Sequence, residues 1–417
     1  VDRQQTEILI IGAGVIGSSV AMHLAQKGVT DVTVVDLDLE GTHSSSELNA
    51  GGVRGTWQQP LNITMSKLTI DYLAQHAQEV GYRDVGYLWL QTPQTMSAAL
   101  KARDLQQSLG WPVEALDVAA LAKRVPFIDK TGDLAGAVLG VRDGLVNPNL
   151  LKLHFRDQAR KAGARFEDRV LIRRSEISGG KFQLTAQKFT RPLSAEEKTA
   201  LYSQGAVGAE TSALPHVEFQ IEAKQVINCA GAWAGELARV LGYRSPCEPM
   251  RRQVCIFDCR DVDLSPYGMI IDTSGVYFHP EGGNGLAGFA TPNEPNGFNF
   301  EYDGESFFME QIWAPLYERS TRFERLKHLT GWAGIYEVSP DHCAILGEVA
   351  DGELAGQGKL FEAHSFSGHG VMQSYSAGLL LAELIVGGKY ETLDASPYSA
   401  SRFVSGASRS FSETAII

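Results

Sequence analysis

Six residues near the start of the chain, Gly12-Ala13-Gly14-Val15-Ile16-Gly17, have the types and spacing to hold a phosphate. They follow a β-rich run, 7–11, and open a helical pattern, 15–27, which Gly28 stops. Gly12 allows a tight turn, Gly14 lets a phosphate reach the backbone, and Gly17 lets helix pack on strand. The free N–H groups and partial positive charge of the helix N-terminus then face the anion. Asp36 ends the next strand pattern, 32–35, nineteen residues after Gly17. A carboxylate there accepts hydrogen bonds from ribose hydroxyls. The chemistry is dinucleotide binding, and the glycines alone do not choose between FAD and NAD. A second glycine turn, Gly368-His369-Gly370, precedes another helical pattern, 372–386. Cys255 and Cys259 lie four apart on a strand pattern, but no His pair or second Cys pair supports them, so no metal is expected.

The elements that must position these residues alternate between helix and strand at the two ends of the chain, with strands clustered between. Helical patterns also cover 67–80, 149–162 (with Asn147 or Asn149 as cap), 195–202 and 304–317. Strand patterns cover 87–91, 165–172, 224–229, 253–290 and 360–363. The segment 190–216 reads as a polar insertion on a β-meander. This predicts an α/β fold. A Rossmann-like dinucleotide-binding domain would be assembled from 1–56, 144–235 and 325–402. An antiparallel β-sheet substrate domain with flanking helices would use 57–143 and 236–324, with 403–417 as a loosely held tail. A length of 417 residues suits two or three domains. The formal charge of −12 excludes nucleic acid as a partner and opposes docking on anionic membranes. No stretch approaches the length of a membrane span, since the apolar run 377–386 contains Glu383. Five sparse cysteines and the lack of a secretory signal point to a reducing compartment, the cytoplasm being the default. A chain that opens at Val1 leaves room for a removed leader.

Three motifs then recur in an order seen in one family: Asn49-Ala50-Gly51-Gly52-Val53-Arg54, Val226-Ile227-Asn228-Cys229-Ala230-Gly231-Ala232-Trp233, and Gly368-His369-Gly370-Val371-Met372. The chain resembles the D-amino acid oxidase superfamily, closest to its sarcosine oxidase, dimethylglycine dehydrogenase and glycine oxidase branch. The resemblance spans nearly the whole chain, but only these motifs and 332–341 are specific. It implies that the Rossmann-like domain is an FAD-binding domain of the glutathione reductase type, with FAD held without a covalent bond. Contacts are implied from Gly12, Gly14, Val15, Ile16 and Gly17, from Asp36 and Leu37, and from Ser44, Ser45 and Ser46. Further contacts are implied from all of 49–54, from Val170, Ala230, Gly231 and Trp233, from Gly334 and Tyr336, and from all of 368–372. The late helix N-terminus would face the flavin pyrimidine ring, where a positive dipole end stabilises the anionic reduced form. Tyr277, Tyr336, Arg54 and His369 are the implied catalytic and substrate-side residues, with His279 a further pocket wall. Arg251 and Arg252 read as structural salt-bridge partners.

The departures from the family are as informative. Trp57 and Met372 stand where monomeric sarcosine oxidases place a basic pair that grips the substrate carboxylate. A buried carboxylate still needs a cationic or multidentate partner: either another arginine supplies it, Arg322 and Arg325 being the candidates, or the substrate is not a simple amino acid. Leu286 stands nearest the position of a lysine that promotes reaction with oxygen, which favours a dehydrogenase. The family's tethering cysteine corresponds to Gly334 and its tethering histidine falls near Leu48, leaving only His43, five residues earlier, as a possible tether. The function implied is oxidation of the C–N bond of a small amine or N-methyl amino acid by hydride transfer to flavin, then imine hydrolysis. The acceptor of the electrons is oxygen or another redox partner. The alternatives are a 2-hydroxyacid or polyol-phosphate dehydrogenase on the same fold, a flavoprotein with mainly an assembly role, and, more distantly, an NAD dehydrogenase.

Overall fold

The structure is a computed structural model describing residues 3–349, 359–405 and 412–416. Its organising element is a sheet whose central strands run in the order Lys359–His364, His216–Asn228, Arg3–Ile11, Val32–Val35, Arg165–Glu167. All four of these pairings are parallel. The register sets Ile11 beside both Asn228 and Val35, and Asn228 beside Glu362. Three strands therefore end level, and the turns that follow them emerge at one edge. Strand Ile345–Glu348 adds on antiparallel, and the hairpin Val170–Ser178, Lys181–Phe189 pairs with His216–Asn228.

Helix Val15–Gln26 is buried from Val15 to Ala25, as its apolar character all round requires. It packs between Pro148–Lys161 and Gly370–Gly387, and the latter also meets Pro60–Gln75. Asn147 caps Pro148–Lys161 by accepting from the Leu150 amide at 3.0 Å. Helix Gly370–Gly387 has 18 residues and a mean hydropathy of 1.2, so by length and composition it could cross a membrane. The expectation that no segment approaches a membrane span is corrected. Two thirds of the helix is buried against neighbouring helices, as in a core helix, and the Glu383 carboxylate accepts from the Glu391 and Thr392 amides.

The second sheet runs Lys327–Val338, Glu248–Asp258, Asn284–Phe289, Tyr277–Glu281, Met269–Ile271, Tyr87–Gln91, Gly136–Gly140, Val113–Leu116. It is antiparallel except where Met269–Ile271 meets Tyr87–Gln91. Its two faces separate by alternation. Cys255, Phe257, Phe278 and Ala287 join one apolar core, while Val254, Met269, Tyr277 and Leu286 form another cluster with Tyr87.

Several expectations change. Strand Lys327–Val338 belongs to the second sheet, although it falls in the segment assigned to FAD binding. Helix Pro60–Gln75, expected to start at residue 67 and to serve the substrate domain, packs into the nucleotide-side core through Ile63, Ile70 and Leu73. Pro60 sits in its first turn, where a missing N–H costs nothing. The expected strand 165–172 breaks at Arg169, whose φ is 62°. Helices Pro93–Ser108 and Val118–Arg124 were not anticipated. The tail is not loose throughout: Glu413 is fully buried and its amide donates to the Asp341 carbonyl at 2.9 Å. Residues 406–411 and 417 of that tail lie outside the described residues.

The strand that leads into the late glycine turn is locked at its end by a buried pair, His364 Nε2 and Glu362 Oε2, 2.9 Å apart. Burial alone would lower the His364 pKa, but bonds to Cys247 and Glu362 raise it to about 10. A folded value above the unfolded 6.5 gives stability that is complete below pH 6.5 and lost as pH rises towards 10. Melting temperatures between pH 6 and pH 10 should therefore fall in the native protein and fall less in His364→Gln. Parallel curves would remove the pair from the account.

Candidate functional site

A long crevice opens at the edge where the three turns emerge. Its floor is backbone. Gly12 has φ +107°, and a Cβ there would sit 2.2 Å from the Cys229 carbonyl oxygen, so only glycine fits. Gly14, Val15 and Ile16 line the crevice, whereas Gly17 packs beneath it. Ser46 Oγ accepts from the Val15 amide at 2.9 Å. Asp36 lies in the crevice with Leu37 and holds the turn, one oxygen accepting from the Ala13 amide at 2.6 Å and the other from the Asp38 amide at 2.9 Å. Burial raises the Asp36 pKa, opposed by those two amides. The Val170 amide donates to the Asp36 carbonyl at 2.9 Å, which brings Val170 to the wall.

Ser44, Ser45, Asn49, Ala230, Gly231, Trp233, Tyr336, Gly368, Gly370 and Val371 complete the expected lining. Lys152, Tyr202 and Glu337 were not anticipated there. Tyr202 comes from helix Ala195–Ser203 in the polar insertion and packs on Trp233, ring centroids 4.6 Å apart. Glu337 Oε1 accepts from the Phe366 amide at 3.3 Å, while Oε2 is buried with no partner among the described residues. Burial raises the pKa of this carboxyl. An orphaned acceptor facing a glycine-floored groove suits a ligand that brings hydroxyl or N–H donors, while the glycine turn and helix N-terminus suit its phosphates. The donor set fits FAD.

The crevice continues into a second cavity between the sheets, lined by Ala50, Gly52, Arg54, Gly334, Tyr336, Gly368, His369 and Met372 and by Tyr277. Gly368, at φ +89°, leaves room for the Tyr336 ring, which a Cβ would meet at 2.5 Å. His369 is buried against Trp57, ring centroids 4.0 Å apart, and neither ring nitrogen has a partner among the described residues. Burial, then Arg54 and His342, push its pKa well down, so the ring is neutral with one N–H to give. Arg54 lies over the Trp57 ring at 3.3 Å, so Trp57 carries a cation instead of gripping a carboxylate. Gly51 and Val53 do not reach either cavity.

Tyr87, Tyr277 and Tyr336 point into the same cavity, and their phenols find no hydrogen-bond partner among the described residues. Tyr87 was not anticipated. Neither was Arg252 as a pocket residue, and that reading is corrected. Adjacent strand residues face opposite ways. Arg251 binds Glu294 and Asp303, as expected. Arg252 turns inward, its guanidinium 5.2 Å from the Tyr336 ring centroid, and its only described acceptor is the Arg251 carbonyl at 3.0 Å. Period-two alternation alone would have separated the two.

Other expectations fail. Arg322 and Arg325 are exposed, and Arg325 pairs with Asp261, so neither supplies a clamp. His279 is no pocket wall: its Nε2 lies 2.7 Å from the Ala50 carbonyl, tying the 49–54 turn to the second sheet. His43 stacks on Tyr202 and bonds Thr199 Oγ1 at 2.9 Å, away from the cavity that holds Gly368 and Tyr336. No cluster of metal-ligating side chains exists among the described residues.

Comparison with known proteins agrees with this geometry. The family model described as "DAO: FAD dependent oxidoreductase" matches residues 7–384. The Xenopus laevis FAD-dependent oxidoreductase domain-containing protein 1 is 31% identical over 96% of this chain and 83% of its own length. The crystal structure of L-proline dehydrogenase from P. horikoshii superposes with a TM-score of 0.80 at 21% identity, covering 97% of this chain and 99% of that one. Glycine oxidase from Geobacillus kaustophilus superposes at 0.74 and 21% identity, covering 96% and 99%.

Asp36→Ala should weaken FAD retention. It removes a ribose acceptor and frees the Ala13 amide, a loss of about 1–3 kcal/mol, or roughly ten- to a hundredfold in Kd. The flavin-to-protein absorbance ratio after dialysis checks it, and unchanged retention would take the carboxylate out of the cofactor site.

Proposed function

Since the chain belongs to the DAO family of FAD-dependent oxidoreductases, we propose that it oxidises the C–N bond of a small amino acid or N-methyl amino acid. The observation that carries this reading is the set of polar groups in the second cavity that find no partner among the described residues: three phenols, both ring nitrogens of His369 and Nε of the inward Arg252 guanidinium. Buried polar groups without partners await a ligand that supplies them. A guanidinium fork matches a carboxylate, and phenols suit the remaining carboxylate lone pairs or an amine. Arg252 thus takes the role that the residues at positions 57 and 372 cannot.

A bound flavin would supply the acceptor for hydride from the carbon beside nitrogen, and the resulting imine would hydrolyse in water. The residues of this chain supply the rest. Arg252 and Tyr336 fix the carboxylate end. Trp57, Val254, Met269 and Met372 wall the cavity and exclude water. Arg54 is buried, and the N-terminus of helix Gly370–Gly387 opens onto the same space. Both place positive potential where negative charge grows. Neutral His369 can donate one hydrogen bond there without adding a full charge.

An anaerobic screen of amino acids, N-methyl amino acids, other secondary amines and 2-hydroxyacids, read by flavin bleaching, tests the proposal. Bleaching by a substrate that carries both amine and carboxylate is expected; reduction by hydroxyacids alone would overturn it. With the substrate found, Arg252→Gln should raise its Kd by about a hundredfold, the scale of one buried charge-assisted pair. Tyr336→Phe should slow flavin reduction while leaving the melting temperature near native. Native Kd in the first variant would show that Arg252 grips no carboxylate, and native rates in the second would remove Tyr336 from the pocket.

A further inference from the structure

We propose that segment 412–416 is part of the flavin-side site, acting through Arg54; the inference rests on the flavin reading above. Arg54 is only 2% exposed, yet among the described residues no carboxylate touches it. Nη1 donates to the Thr56 carbonyl at 2.8 Å and Nη2 donates to the Ala415 carbonyl. The nearby acids are committed elsewhere. Asp143 accepts from the Gly55 amide, Thr56 Oγ1 and Trp111 Nε1 at 2.7, 2.8 and 2.9 Å. Glu413 accepts from the amides of Gln58, Gln59 and Ala415 at 3.2, 3.1 and 2.9 Å and from Asn62 Nδ2 at 3.0 Å. The guanidinium is therefore aimed by neutral carbonyls and held between the Trp57 and Trp89 rings, 3.3 and 4.8 Å from its carbon. Its charge is left for an anion in the cavity.

Glu413 is the anchor of this arrangement. It is fully buried and binds the chain immediately after Trp57, so the segment is fastened to the loop whose arginine it orients. Two further bonds hold the same seam, Gln59 Nε2 to the Ser412 carbonyl at 2.9 Å and Thr414 Oγ1 to Gln58 Oε1 at 2.6 Å. Without Ala415, Nη2 loses its acceptor, and a buried donor left bare drives the side chain to another orientation. Ala415 and Glu413 are positioning residues: neither lines the cavity that holds Tyr336 and Arg252.

The test uses the FAD-loaded full chain, a chain ending at Glu413, and Glu413→Gln, with sulfite as the anionic probe. Sulfite adds to flavin N5 and its binding is read by bleaching. Loss of 414–417 should raise the sulfite Kd by about tenfold or more and make the flavin potential more negative, while FAD content stays near native. Glu413→Gln, which sets an amide N–H against the donors of the anchor, should shift both in the same direction by less. Native sulfite Kd and potential in both variants would overturn the proposal. So would loss of FAD and of melting temperature in step with sulfite affinity, because that is what a merely structural segment gives. Should the shortened chain fail to fold, Glu413→Gln decides alone, and an unchanged Kd sinks the idea. A native protein that takes up no FAD would instead refute the flavin reading.

Discussion

Everything at the site depends on three parallel strands ending level. Ile11, Asn228 and Val35 share a register, and strand Lys359–His364 extends it through Glu362 beside Asn228. Parallel strands send their following turns to one edge, which is where open α/β sheets take their ligands. The turn at Gly12, the turn from Cys229 to Trp233 and the turn from Ser365 to Gly370 come from distant parts of the chain, but pairing makes them neighbours. The close approach of Gly12 to the Cys229 carbonyl is the contact at which that pairing becomes a binding site. A side chain at Gly12 would force the two turns apart and alter the crevice along its length.

The second cavity follows from a different constraint, the scarcity of carboxylates near its cations. Buried arginines are ordinarily paired with acids. Arg319 shows the ordinary case, bound to Asp133 and Asp272. Arg54 and Arg252 instead meet carbonyls and aromatic faces. Burial lowers the Arg54 pKa to about 10, so the group stays charged at neutral pH. The buried Arg54 and the half-buried Arg252, without counter-ions among the described residues and beside three phenols that find no described partner, are a costly arrangement for a cavity with no anionic ligand. The same groups become satisfied when an anionic ligand brings its own acceptors.

What the sequence reveals follows the range of the interactions. The Gly12–Gly17 turn, helix Val15–Gln26 and Asp36 were legible because each depends on neighbours close in the chain. So was the pocket position of Tyr336, through the specific stretch 332–341, whereas Tyr277 was expected there only from a loosely matched region. Arg252 was legible in principle, since alternation along Glu248–Asp258 gives it the face opposite Arg251. Arg322 and Arg325 were chosen by charge type alone, and the fold left them in solvent. Tyr87 reaches the site because Tyr87–Gln91 pairs in parallel with Met269–Ile271, a partnership 182 residues apart that no local pattern encodes. Glu413 is harder still. A Ser-rich stretch with one acid reads as a solvated tail, and its burial depends on the amides of Gln58 and Gln59.

The departures from the family pattern then take on a common physical meaning. Trp57 and Met372 replace a basic pair, yet positive charge has not left the cavity. It has moved to Arg252 on the opposite sheet, and Trp57 has become the surface on which Arg54 rests. Under the proposed function, a carboxylate gripped from the second sheet instead of the late helix would be held on the side of the cavity facing that sheet. The carbon to be oxidised would still have to lie over the flavin ring, so the distance between the charged end and the reacting carbon would be set by the sheet-to-sheet gap. A substrate would then be selected by its length between carboxylate and amine as well as by its charge, and Tyr87 and Tyr277, on the same sheet as Arg252, would share its frame of reference.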